Sequence, residues 1–213
     1  MNIIFDFDGV ILNSHKVKTE AFYEIFKSYG KNRAEKARKF HQNNIGKSRY
    51  FKFKFIFKYI LNKKITKKEI TKLEKNFEMF IEKKIKNLKP SKYFMRFIKQ
   101  KKKYHNFYIS TGTPQNKIIK ILKEKKLFFF FKKIYGSPAS KLVHINLIKK
   151  SNKNLLFIGD SFEDYKVSKQ TSINFILKLN SENLKFRKKI NVKKINSFKY
   201  LDRYINSLQK KLI

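Results

Sequence analysis

Short apolar runs rich in β-forming residues recur along this chain, each ending in polar residues and separated from the next by segments of helical periodicity. Residues 2–7 form the first run, which gives way to the turn signal Asp8-Gly9. Residues 107–110 form the second and lead into Thr111-Gly112-Thr113-Pro114, and residues 133–137 read as a strand with a turn. Residues 155–158 end at Gly159-Asp160, and residues 173–177 make a further strand. Helical patterns cover residues 93–98, 115–125, 142–150 and 198–212. Strands alternating with helices predict an α/β fold with a parallel sheet covered on both faces.

One long stretch breaks the alternation. Residues 16–88 carry helical periodicity throughout, with Phe22, Ile25, Phe26 and Tyr29 on one face and Leu73, Phe77, Phe80 and Ile81 on another, before Pro90 closes the segment. The reading is an all-helical insertion at residues 15–88 within a core made of residues 1–14 and 89–213. A length of 213 residues fits one domain carrying such an insertion.

The net charge of +38 by itself points toward nucleic acid or an anionic surface. The basic residues are spread evenly, however, and accompany abundant Phe, Ile, Asn and Tyr, a bias typical of AT-rich coding sequence. No specific nucleic-acid partner is therefore expected. The absence of cysteine excludes disulfides and thiolate metal sites and makes the cytoplasm the default compartment. Asp6 and Asp8 interrupt the first apolar run, which reads as a strand and not a signal peptide. No run spans a bilayer, and residues 127–131 read as buried core.

Ligands of open α/β sheets bind outside the carboxyl ends of the strands. Asp6 and Asp8 end the first strand, Ser110 and Thr111 the second, and Asp160 a later one, so distant residues converge on one crevice that Lys141 can also reach. In extended chain, residues two apart face the same side, which directs both Asp6 and Asp8 to the crevice and Phe5 and Phe7 to the core. Two crowded carboxylates need a cation between them or a proton on one. Asp6 can then act as a nucleophile toward phosphorus, and Asp8 as general acid and base. Asp160 and Asp164 supply the hard oxygens that Mg²⁺ prefers. The Thr111 hydroxyl and Gly112 amide can hold phosphate oxygens, and Lys141 can offset the charge gathered on them.

These residues, in this order, resemble the haloacid dehalogenase superfamily of hydrolases over nearly the whole chain. The motifs are Phe5-Asp6-Phe7-Asp8-Gly9-Val10-Ile11, Tyr108-Ile109-Ser110-Thr111-Gly112-Thr113-Pro114, Lys141 within Gly136-Ser137-Pro138-Ala139-Ser140-Lys141, and Phe157-Ile158-Gly159-Asp160-Ser161-Phe162-Glu163-Asp164. The resemblance implies a Rossmann-like core, a nucleophilic Asp6, an acid/base Asp8 and Mg²⁺ held by Asp6, the Asp8 carbonyl and Asp160. The insertion looks like the helical cap of the phosphoglycolate phosphatase and β-phosphoglucomutase branch. Within it, Gly46-Lys47-Ser48-Arg49 is similar to the loop that reaches the active site, which makes Lys47 and Arg49 candidate substrate contacts. Asn13 and Leu177 depart from the residues common at their positions, Asp and Arg.

The expected activity is hydrolysis of a small phosphorylated metabolite, a sugar phosphate or a phosphoglycolate-like compound, through an aspartyl-phosphate on Asp6, by a monomer or homodimer. Asp8 argues against a dehalogenase, because a departing halide needs no proton. A phosphonatase would need a cap lysine able to form a Schiff base, and a phosphomutase would share the same core. A basic nucleic-acid-binding protein on a hydrolase scaffold is the alternative from another class.

Overall fold

The computed structural model describes residues 1–184 and 186–210. Among these residues, six strands form one parallel sheet: β1 (Asn2–Phe5), β2 (Asn106–Pro114), β3 (Lys133–Ser137), β4 (Leu155–Gly159), β5 (Asn174–Lys178) and β6 (Lys193–Ile195). Their order is β3-β2-β1-β4-β5-β6, so the winding reverses at β1, between β2 and β4. The register pairs Phe5 with Ile109 on one side and with Ile158 on the other. The residues that follow, Asp6, Ser110 and Gly159-Asp160, therefore emerge together at the reversal point, where open sheets bind ligands.

Helices between the strands cover both faces. One face of the sheet packs Phe5, Phe107, Ile109 and Ile158 against Phe94 and Phe97 of α5 (Lys92–Lys101), Leu122 of α6 (Gln115–Glu124) and Leu201 of α9 (Leu201–Lys210). The other packs Ile4, Tyr108 and Phe157 against Ile145 and Ile148 of α7 (Lys141–Lys150) and Val167 of α8 (Phe162–Gln170). The result is a three-layer, Rossmann-like core. Phe5 is at its centre, edge-on to Phe94 at 5.6 Å, and truncating such a ring to Ala costs about 3–5 kcal/mol.

Four helices lie between β1 and α5: α1 (His15–Phe26), α2 (Lys31–Asn43), α3 (Arg49–Tyr59) and α4 (Lys67–Asn87). They make the helical cap. Its interior is aromatic: the Phe22 ring meets Phe53 at 5.7 Å and Phe77 at 5.5 Å, and Phe26 meets Phe57 at 6.3 Å. A capping box between Thr66 and Glu69 starts the longest helix, α4. No helix among the described residues is long and apolar enough to cross a membrane.

Several elements differ from the sequence reading. The first strand stops at Phe5, because Gly9 at φ +78° turns the chain back so that Leu12 N–H reaches the Phe7 carbonyl. The second strand continues to Pro114, which is tolerated where its pairing with β3 shifts register. The edge strand β6, only three residues of a basic stretch, and the charged helix α8 carried no periodicity to betray them. Within 127–131, Leu127 and Phe131 are buried as expected but Phe129 is 83% exposed. Of the expected C-terminal helix, residues 211–212 lie outside the described residues.

Candidate active site

The chain leaves β1 with Asp6 still in the ladder, its N–H bonded to the Ile158 carbonyl at 2.9 Å. The Asp6 side chain is buried, its Oδ1 accepting from the Phe7 N–H at 2.7 Å and its Oδ2 lying 2.9 Å from Lys141 Nζ. Lys141 opens α7 behind the N-cap Ser140 and bonds Asp164 Oδ1 at 2.5 Å as well. Asp164 closes a capping box with Ser161 at the start of α8, where its Oδ2 accepts from Ser161 N–H, Ser161 Oγ and the Asp160 N–H. Helix capping thus fixes both the lysine and one of its acids.

Asp160 Oδ2 is held by Asn180 Nδ2 and His15 Nε2, each at 2.5 Å, while its Oδ1 is buried without a partner. Asp6, Asp160 and Asp164 offer oxygens that all lie within 4.8 Å of one another. Burial, and then the neighbouring Asp164, Asp160 and Asp8, raise the Asp6 carboxyl to about 8 against the pull of Lys141. Burial works against a charged Lys141, but Asp164 and Asp6 raise it above its ordinary value. Burial likewise disfavours a charged His15, and contact with Asp160 raises it. A buried trio of carboxylates, one with an orphaned oxygen, has the donor chemistry and charge to hold a hard divalent cation.

The Asp8 carboxylate faces a different set of groups. Its Oδ1 accepts from Ser14 Oγ at 2.5 Å, and its Oδ2 from Lys18 Nζ at 2.6 Å and Thr113 Oγ1 at 3.1 Å. Burial alone would raise this carboxyl, but Lys18 and Ser14 hold it well below the usual carboxylate range.

The cavity above these acids is lined by Asp6, Asp8, Gly112, Thr113 and Lys141 from the core and by Phe22, His41, Lys47, Arg49, Lys52 and Phe77 from the cap. Lys47 and Arg49, expected as substrate contacts, do border it. Lys47 is exposed, with Nζ 4.6 Å above the Phe51 ring. Arg49 is buried, bonded through Nη1 to Glu78 Oε1 at 2.7 Å and lying 4.0 Å over the Phe77 ring, so its charge is already matched. Thr111 borders the adjoining groove with Ser137 and Lys141, and its Oγ1 accepts from the Thr113 N–H at 3.2 Å.

The sequence reading passed over His15, Lys18, Thr113, His41, Lys52 and Asn180. Helical spacing sets Lys18 four residues beyond Ser14 on α1 and Lys52 three residues beyond Arg49 on α3, but in so basic a chain neither lysine stands out. His41 and Asn180 carry no local signal.

The fold defines an α/β protein whose Rossmann-like core carries an inserted helical cap over a cluster of buried acids. The sequence matches the model of the haloacid dehalogenase-like hydrolases over residues 1–170, and the chain belongs to that family. Among curated proteins none matches. Of solved structures, β-phosphoglucomutase from Clostridium difficile superposes with a TM-score of 0.76 at 18% identity, covering 98% of each chain. A predicted phosphoglycolate phosphatase from Haemophilus somnus superposes with a TM-score of 0.72 at 15% identity, covering 95% of this chain and 96% of its own. A magnesium-bound hydrolase of the family from Bacillus subtilis gives a TM-score of 0.68 at 18% identity, covering 96% and 98%. At these identities the likeness speaks for the fold.

Proposed function

We propose that this chain is a Mg²⁺-dependent phosphatase that hydrolyses a small phosphorylated metabolite through an aspartyl-phosphate on Asp6. The observation that carries the reading is the meeting of Asp6, Asp160 and Asp164 at the sheet's reversal point, the first and last of them bound to Lys141, beneath a cavity walled by cations. Mg²⁺ would be held by Asp6, the Asp8 carbonyl and Asp160, with Asp164 beside them, and it would offset the repulsion between the Asp6 carboxylate and the phosphoryl oxygens.

Asp6, whose ionised form a bound divalent cation would favour, attacks phosphorus while the ester oxygen departs with a proton that Asp8 has taken from solvent as substrate binds. Asp8 then removes a proton from the water that opens the acyl phosphate, releasing phosphate and restoring Asp6. The anionic resting form of Asp8 suits the second step. Lys141 positions Asp6 and, with the Gly112 amide and the Thr111 hydroxyl, stabilises charge on the transferred oxygens. The likeness to β-phosphoglucomutase favours a second reading, transfer of the phosphoryl group to a sugar in place of water.

The test is turnover of p-nitrophenyl phosphate by the purified chain with and without Mg²⁺. Turnover is expected only with the ion, and Asp6→Asn is expected to abolish it while leaving the melting temperature in place. Undiminished activity in that variant would remove Asp6 as nucleophile. Product analysis with a hexose phosphate separates free phosphate from an isomerised sugar phosphate.

A further inference from the structure

Lys52 lies on α3 one helical turn beyond Arg49 and is 4% exposed. Its ammonium has one polar neighbour, His41 Nδ1 at 3.1 Å, and among the described residues no carboxylate pairs with it. Burial is the main influence on this amine, and Lys18, Arg49 and Lys141 add repulsion that the pull of Asp8 does not cancel, so it falls to about 7. His41 is itself held neutral, by burial first and then by the cations around it.

The tautomer follows from donor counting when Lys52 carries its proton. An ammonium offers only donors, so in that state His41 Nδ1 accepts and the single imidazole proton resides on Nε2. That Nε2 is buried and unpartnered. Both side chains line the cavity, and both rest on one aromatic platform: the His41 ring stacks on Phe22 at 4.2 Å and Lys52 Nζ lies 5.6 Å from the same ring. The cap wall therefore presents an N–H of His41 and further N–H groups of Lys52 with no acceptor. Unpaired buried donors are costly, and folds retain such cost where a ligand removes it.

We propose that Lys52 and His41 form a second oxyanion subsite, which takes a carboxylate or a second phosphate borne by the substrate away from the phosphoryl group that meets Asp6. This rests on the phosphatase reading and narrows its substrate class to phosphate esters with two anionic groups. An oxyanion brings several lone pairs to several donors and supplies the charge that Lys52 lacks. Arg49 contributes less, since Glu78 already occupies it.

The experiment compares matched pairs of esters with the full chain and Mg²⁺: phosphoglycolate against ethyl phosphate for a carboxylate, and a hexose bisphosphate against its monophosphate for a second phosphate. The wild type is expected to favour the doubly anionic member of one pair by about tenfold or more in kcat/KM, and the pair that responds identifies the oxyanion. Lys52→Met keeps the apolar stem and is expected to erase that preference through KM. His41→Phe keeps the stacking on Phe22 and loses the N–H, with a smaller expected loss of about threefold. Lys52→Met is also expected to melt no lower than the wild type, which a merely structural lysine would not allow.

No preference in either pair, a preference intact in Lys52→Met, or KM raised equally for both members would overturn the subsite. The same pairs are read as ligands by thermal shift, independently of turnover. Selective stabilisation without hydrolysis of any ester retires the phosphatase reading and keeps the subsite. Hydrolysis of p-nitrophenyl phosphate without discrimination in either assay does the reverse.

Discussion

At the strand ends, the acids at and beneath the cavity are met by cations or donors: Lys141 bridges Asp6 and Asp164, Lys18 and Thr113 clamp Asp8, and His15 and Asn180 hold Asp160. Across the same cavity, the cap presents cations of which Arg49 is matched by Glu78 and Lys52, among the described residues, by no acid. The sheet wall is thus a self-contained device whose groups fix one another, while the cap wall is incomplete by itself. Chemistry common to many phosphate esters belongs to a preorganised wall. Choice among esters belongs to a wall that only the right ligand completes.

The sharpest way to break this division is to disturb the sheet wall. Asp8→Asn is expected to lower kcat by roughly 10²–10⁴. The loss should be larger on ethyl phosphate than on p-nitrophenyl phosphate, whose leaving group needs less help from an acid; equal losses would argue that Asp8 does not donate the proton. Lys141→Met leaves Asp6 and Asp164 buried without their ammonium and is expected to cost about 3–5 kcal/mol in urea denaturation. Added Mg²⁺ should recover part of that stability, and no recovery would count against a cation at the carboxylate trio.

The cap wall should respond in the opposite sense. The Lys52 amine titrates at about 7 in the fold against an ordinary value of 10.5. Below about 7 both folded and unfolded chains carry the proton, and the fold bears the whole cost of burying it. Between these values only the unfolded chain holds the proton and the cost fades, to vanish by about 10.5. Lys52→Met is therefore expected to raise the melting temperature at pH 7 by roughly 2–6 °C, with the advantage shrinking toward pH 10. A lower melting temperature across that range would mean that Lys52 is structural. The smallest effect belongs to Glu78→Gln, which frees Arg49 and should lower KM for any phosphate ester by about two- to threefold.

What the sequence disclosed follows the same division. Asp6, Asp8 and Asp160 stand out because acids are scarce here and each follows an apolar run whose register in a parallel sheet is strongly constrained. The α/β core and its helical insertion were legible as well, since short continuous apolar runs gave way to segments of 3.6-residue periodicity. Lys18 and Lys52 were not, because a chain with 53 basic residues gives one lysine no contrast. The pairing of Arg49 with Glu78, 29 residues apart, exists only once α3 and α4 pack. Strand β6 forms because β5 offers it an edge, and three residues leave no pattern to detect.

One contact carries a mechanical consequence. A side chain begun at Gly112 would stand 3.3 Å from the Gly46 carbonyl, so two bare stretches of backbone, one from each half of the molecule, nearly touch. A single methyl group at position 112 would act as a doorstop, wedging the halves apart by a few tenths of an ångström and leaving all the acids in place. Gly112→Ala thus offers a handle on how tightly the crevice shuts while keeping the backbone amide that the reaction uses.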